Sequence, residues 1–294
     1  MTSSPQAGIL ADLPSHARYL TFELSDAATP HQILVQLQQL ACSSSCLIGV
    51  GQVVVEMLKQ EVSGLRTFPR LDGPNVVMPS SSGALWFWIR GDDRGDLLHQ
   101  GRAIIEQLRG SFTLSDITDG FRYASGLDIT GYEDGTENPE GEAAAKVALV
   151  SSDKQGLAGS SFVAVQKWQH DLENFDAMST EQQDFAIGRR RSDNEELADA
   201  PESAHVKRTA QEAFDPEAFV VRRSMPWTNG QAEGLMFVSF SASFDPFEAL
   251  ARNMLGLNDG VVDALFGFTQ PLSGDYYWCP PQRDGRLDLR VLQA

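Results

Sequence analysis

Three stretches of this 294-residue chain carry residue types able to do chemistry. The first is Gly131-Tyr132-Glu133-Asp134-Gly135-Thr136-Glu137-Asn138-Pro139, in which Asp134 stands between glycines and an Asn-Pro pair ends the segment. Such a loop can hold one carboxylate in an unusual backbone geometry facing a cavity. An acidic surface turn is the ordinary alternative. It is not a calcium loop, because the alternating Asp/Asn ligands and the closing Glu are missing. The second set is the five histidines, His16, His31, His99, His170 and His205. A lone His is more often structural than a ligand, and residue types alone do not choose between His170 and His205. The third is Arg222-Arg223-Ser224, two arginines at a strand end in an acidic chain. Strand alternation sends Arg222 and Ser224 to one face and Arg223 to the other. An inward Arg222 needs a partner, since a buried lone charge is costly.

The elements that must position these residues can be read from periodicity. Residues 18–24 are rich in strand formers. Thr29 and Pro30 then open a helix, as cap and first residue, with Ile33, Leu34, Leu37 and Leu40 on its apolar face. Strands are predicted at 47–50 and 84–89, followed by a helix capped by Asp96, carrying Leu97, Leu98, Ile104, Ile105 and Leu108, and ended by Gly110. An extended stretch lies near Phe112 and Phe121, and a Gly- and acid-rich loop spans 125–147. Beyond it a strand is predicted at 161–168, a helix at 171–187, an acidic surface loop at 193–202, and a strand pair at 219–224 and 235–240. Asp245-Pro246-Phe247-Glu248 reads as a capping box opening a helix with Phe247, Leu250, Ala251, Met254 and Leu255 inward. Residues 276–278 form a closing strand. Both halves thus read β-α-β-β-α-β, which implies an α+β fold of four-stranded antiparallel sheets with helices on one face.

Composition narrows the class. Asp and Glu number 40 against 23 Lys and Arg, for a formal charge of −17. That excludes the broad basic face of a nucleic-acid or anionic-membrane binder. The longest short apolar run, 84–89, is far below a membrane span. Residues 1–15 show no basic, apolar leader pattern. Three cysteines, Cys42, Cys46 and Cys279, neither pair fully nor sit at zinc spacing, so a reduced, cytoplasmic protein is expected. Nucleotide-loop, nucleophile-elbow and zinc-helix motifs are missing, and without C-x-x-C-H covalent c-type haem is excluded.

Taken together, the three stretches make the chain resemble the dye-decolourising peroxidases, in particular their cytoplasmic B-type branch. The family's G-x-x-D-G signature stands as Gly131 to Gly135, continuing into Thr136-Glu137-Asn138-Pro139. Its haem-binding segment matches Ala204-His205-Val206, and its R-x-[NS] segment matches Arg222-Arg223-Ser224. Further similarity runs through Trp168-Gln169-His170-Asp171-Leu172, Ile187-Gly188-Arg189, Gly234-Leu235-Met236-Phe237 and Asp275-Tyr276-Tyr277-Trp278-Cys279-Pro280-Pro281.

The resemblance implies a dimeric α+β-barrel-like fold of two ferredoxin-like halves, residues 1–137 and 138–294, the second carrying one non-covalent haem b. It implies hydrogen peroxide as oxidant, bulky phenols or dyes as donors, Mn²⁺ as a further possible donor, and a homo-oligomer. His205 is then the iron ligand, backed by Asp263, with Asp259 as the weaker choice. Asp134 moves a proton between the peroxide oxygens, Arg222 stabilises developing negative charge, and Ser224 orients water or peroxide. Arg189 is expected at a haem propionate and Phe237 at the wall of the peroxide pocket. Trp88, Trp227, Trp278 and Tyr132 are candidates for relaying electrons outward. A carboxylate base predicts best activity at acidic pH. A haem-handling or iron-release protein would need His205 but not Asp134, and an empty binding module would need neither.

Overall fold

Strands buried on both faces read as continuous apolar runs, and two segments show this most clearly: Cys46–Gly51 and Leu85–Gly91 are buried almost throughout. The computed structural model, which describes residues 3–293, explains why. In chain order the elements are β1 (His16–Leu24), α1 (Pro30–Gln39), β2 (Cys46–Gly51), α2 (Gln52–Met57), β3 (Leu71–Asp72), β4 (Val77–Met78), β5 (Leu85–Gly91), α3 (Arg94–Leu108) and β6 (Phe112–Phe121). There follow α4 (Gly141–Ala148), β7 (Ser161–His170), α5 (Leu172–Ala177), α6 (Thr180–Ile187), α7 (His205–Arg208), β8 (Val221–Arg222), β9 (Met225–Thr228), β10 (Glu233–Ser241), α8 (Asp245–Met254), β11 (Thr269–Pro271), β12 (Asp275–Cys279), β13 (Gln282–Arg283) and β14 (Arg286–Leu287).

The fold is α+β, with a closed strand barrel. One sheet runs β11-β7-β12-β2-β5-β1-β6-β9-β10-β8, and β10 also pairs with β7, which closes the ring. Alternation then assigns each strand residue to one of two cores. Trp86 and Trp88 of β5 join Tyr19, Phe240 and Tyr277 inside the ring, with Tyr19 stacked 6.1 Å from Trp88 and 6.2 Å from Trp86. Leu85, Phe87 and Ile89 face outward to a second core that includes Ile33 and Leu37 of α1, Leu97 of α3 and Phe247 and Leu250 of α8.

Thr29 caps α1 by accepting from the Gln32 N–H, with Pro30 first, as its sequence predicts. Other expectations need correction. Asp93, not Asp96, caps α3, accepting from Gly95 and Asp96; the first turn is polar, so the apolar period starts late. Leu98 on that helix is exposed. The loop predicted to reach 147 gives way at Gly141 to α4. The helix over 171–187 breaks at Met178, because Ser179 and Gln182 form a capping box that starts α6 afresh. Of the strand at 219–224 only β8 is regular. The expected capping box at Asp245 does not form: Phe244 occupies the cap position, and Asp245 and Glu248 both accept from Arg66 instead.

Candidate active site

A cavity opens between the outward face of β7 and β10, helix α8, and two loops. Counted to its open mouth it encloses about 990 Å³. Strand alternation lines one wall with Gln166 and Trp168 of β7 and Leu235 and Phe237 of β10, while Phe247, Leu250 and Met254, at helical spacing on α8, form the facing wall. Asp134, Arg222, His205 and His170 all line this cavity. The sequence-predicted residues therefore converge, apart from Ser224, Asp263 and Arg189, which stand behind or beside it.

His205 is the first residue of α7, and its backbone carbonyl accepts from the Thr209 hydroxyl. Its Nδ1–H donates to Asp263 Oδ2 at 2.8 Å. Asp263 is almost fully buried and held in turn by the Leu265 N–H, 2.9 Å from Oδ1. The weaker choice, Asp259, is committed elsewhere: both its oxygens bind the Arg208 guanidinium, which holds its carboxyl below the usual range. With Nδ1 committed to Asp263, Nε2 is the nitrogen left over, and no hydrogen bond to it occurs among the described residues. A neutral imidazole oriented by a carboxylate, with its other nitrogen facing a cavity, is the donor arrangement of a metal ligand.

The Asp134 loop owes its shape to two glycines. Gly131 and Gly135 both have φ of +87°, and a Cβ at Gly135 would stand 2.8 Å from the Asn138 amide. Asn138 stitches this loop to β8: its Oδ1 accepts from the Arg222 N–H and its Nδ2 donates to the Arg222 carbonyl. The stitch leaves Arg222 Nη1 3.7 Å from Asp134 Oδ1. Arg222 Nε and Ser224 Oγ are buried without partners among the described residues. Arg223 faces the other way, donating to the Ala11 and Leu10 carbonyls, as alternation requires.

His170 is placed differently. Its Nδ1 lies 2.6 Å from Thr269 Oγ1, and its Nε2 3.1 Å from Asp128 Oδ1. The Thr269 hydroxyl also lies 3.0 Å from the Gln169 carbonyl, to which it donates. Asp128 also accepts from the Thr130 N–H and hydroxyl. Burial pushes its carboxyl up, but the His170 and Thr130 interactions outweigh burial and hold it below the usual range. Both His170 nitrogens are thus committed.

Arg189 lies on an adjoining polar cavity, bound to Glu137 at 2.7 Å, Glu196 at 3.1 Å and the Asn194 carbonyl. Phe237 packs on Phe247, ring centres 5.5 Å apart. Trp88, Trp227, Trp278 and Tyr132 are all buried, Tyr132 against the cavity and Trp88 inside the barrel. Residue types alone do not single out Asn138, Asp128 or Gln166; only Asn138, inside the loop motif, carries a signal.

The residues fit a haem. A single free imidazole nitrogen suffices for a porphyrin iron, the walls are apolar, and an orphaned Arg222 Nε needs an occupant's acceptor. Among the described residues no group of three or more His, Cys, Asp or Glu stands ready to hold a bare metal ion.

Comparison with known proteins agrees with this geometry. Residues 6–122 match the family model "Dyp-type peroxidase, N-terminal", and residues 126–284 match "Dyp-type peroxidase, C-terminal". A dye-decolorizing peroxidase of Mycolicibacterium paratuberculosis is 31% identical over 92% of this chain and 82% of its own length. The structure of DyPB from Rhodococcus jostii RHA1 superposes with a TM-score of 0.86 at 27% identity, covering 99% of this chain and 98% of that one. A variant of Rhodococcus jostii RHA1 DypB was solved in complex with haem, and a DypB variant in complex with manganese. The chain therefore belongs to the Dyp-type peroxidase family.

Proposed function

We propose that this protein is a haem-dependent peroxidase of the B-type branch, reducing hydrogen peroxide and oxidising bulky aromatic donors such as dyes and phenolics. The observation that carries the reading is one apolar cavity shared by an imidazole with a free Nε2, backed by Asp263, and by the Asp134–Arg222 pair. Haem b, held without covalent attachment through His205, supplies the redox centre between peroxide and donor when bound. Overall, peroxide takes two electrons and two protons and leaves as two waters, each electron coming from one donor molecule.

Asp263 accepts the His205 Nδ1–H, which keeps the ligating nitrogen unprotonated and strengthens it as a donor. Asp134 takes the proton from one peroxide oxygen and returns it to the other, which departs as water. Arg222 offers its guanidinium to the negative charge growing on the departing oxygen. Ser224, its hydroxyl buried and without a protein partner, orients water or peroxide. Phe237 walls the peroxide side. Arg189 would exchange a carboxylate partner for a haem propionate.

The strand orders β2-β5-β1-β6 and β8-β10-β7-β12 support two ferredoxin-like halves, 1–137 and 138–294, in a dimeric α+β-barrel-like arrangement. The same reading includes a cytoplasmic homo-oligomer. All three cysteines are free and buried, which fits a reducing compartment; no helix among the described residues is long and apolar enough to cross a membrane. Mn²⁺ is proposed as a further donor on the strength of the relative solved with manganese.

A Soret band in the purified protein and peroxide-dependent dye bleaching test the proposal together. A Soret band without bleaching would favour a haem-handling role, and no Soret band would sink both.

A further inference from the structure

One buried polar group on the cavity wall is used by nothing above. Gln166 sits mid-strand on β7, 1% exposed, and lines the cavity. A side-chain amide at such a site is costly unless its donors and acceptor are met. One of them is. The Trp168 indole N–H, two residues along on the same face, donates to Gln166 Oε1 at 3.1 Å. An indole N–H can only donate, so this contact fixes which end of the amide is oxygen. Gln166 Nε2 is then the outward end, buried and without an acceptor among the described residues.

Register places that donor. Gln166 pairs with Phe237, and Trp168 with Leu235; these four share the cavity face. Two residues beyond Phe237 on the same face of β10 is Ser239, which pairs with Arg222 on β8. Gln166 and Arg222 therefore belong to one continuous sheet surface, and each carries a buried nitrogen without a partner among the described residues, Nε2 at the tip of Gln166 and Nε within the Arg222 guanidinium. The rest of this wall, Trp168, Leu235 and Phe237, offers no acceptor.

We propose that Gln166 is a further binding residue of the peroxide pocket: its amide, held by Trp168, donates a hydrogen bond to the small oxygen- or halide-type ligand that Arg222 also serves. This rests on the haem reading. Trp168 is then a positioning residue, acting through the amide it orients.

Fluoride is the probe, because it accepts hydrogen bonds and is neither oxidised nor reduced. Its affinity for the ferric, haem-loaded protein is measured by optical titration, alongside the Soret intensity and haem affinity. Gln166→Leu is expected to weaken fluoride about tenfold or more, the usual scale for losing one bond to a charged acceptor. Gln166→Glu still accepts from Trp168 but presents no donor and adds negative charge, so it should weaken fluoride further. Trp168→Phe, which frees the amide to rotate, should give a smaller loss than Gln166→Leu. If Gln166→Leu does not take up haem, Gln166→Glu and Trp168→Phe read the same contact. A full Soret band with fluoride affinity within twofold of wild type in the Gln166 variants would overturn the assignment. So would lost haem affinity with fluoride binding unchanged, which would put the donor on the cofactor's own carboxylates. A wild-type protein with no Soret band would overturn the haem reading itself, a distinct result.

Discussion

Two histidines on the same cavity, each backed by an aspartate, are built for opposite ends. In His205–Asp263 the carboxylate takes Nδ1 at 2.8 Å and leaves Nε2 with no hydrogen bond among the described residues. In His170–Asp128 the carboxylate takes Nε2 while Thr269 takes Nδ1, so the ring is saturated. A saturated imidazole ties elements together; an imidazole with one nitrogen left over can bind something. His170 accordingly fastens the end of β7 and the start of β11 to the base of the loop that carries Asp134. The lesson is that burial and cavity lining do not mark a ligand histidine. The count of committed nitrogens does.

The contrast can be broken from the structural side first. Asp128→Ala leaves His170 buried beside a lost partner, which should cost about 3–5 kcal/mol of stability, read as a lowered denaturation midpoint, while haem stoichiometry stays at wild-type level. The sign of its pH dependence follows from the depressed carboxyl. The native state gains from ionised Asp128 fully above about pH 4, where the unfolded group titrates, and loses that gain as pH falls through the lower folded value. The variant's acid limb below about pH 4 should therefore be shallower than wild type. Equal acid limbs would mean that the pair contributes nothing.

From the chemical side, Arg222→Leu removes the cation beside Asp134 and should slow the stopped-flow reaction with peroxide about 10²–10³-fold, with haem binding kept. Undiminished rates would remove Arg222 from the peroxide pocket. Asp263→Asn sharpens the contrast further: it keeps the hydrogen bond but not the charge, and should cost about 10–100-fold in haem affinity or peroxide rate. Asp259→Asn, which disturbs the Arg208 pair and the Val261 N–H contact but leaves the His205–Asp263 bond in place, should leave both near wild type.

The smallest effect lies away from both pairs, at Asp275. Burial pushes this carboxyl up to about 6, only partly offset by the Gly83 N–H. Here the folded value exceeds the unfolded one, so stability is lost as pH rises from about 4 to 6 and stays lower above. Asp275→Asn should flatten that decline, by about 1 kcal/mol at pH 7 after allowance for relaxation, in denaturant titrations across pH. An unchanged slope would contradict the assigned cause.

How much of this is legible in the residues differs between fold and site. Strands such as β1, β5 and β7 and the start of α1 announce themselves, since β-branched and aromatic runs and a Thr-Pro cap act locally. Helix α4 was hidden because its first turn is Gly and Glu, and its inward face only Ala144 and Ala148. The Asp245 box failed because a distant residue, Arg66, captured both carboxylates. Asp134, Arg222 and His205 assemble into one site through the family resemblance, not through their spacing in the chain. The choice between His170 and His205 could not be read from residue types, because the deciding bonds join residues 42, 58 and 99 positions apart. The Gln166 donor escaped for the same reason in reverse: its spacing to Trp168 is local, but the lack of an acceptor for its Nε2 is a property of the whole wall.

The most direct test of the contrast is imidazole rescue of two glycine variants, His205→Gly and His170→Gly, followed by the ferric Soret and electron paramagnetic resonance spectra. The account predicts that His205→Gly loses the haem spectrum and regains it with added imidazole, while His170→Gly binds haem unaided with the wild-type spectrum. Haem lost and restored by imidazole in His170→Gly, with His205→Gly unaffected, would contradict it.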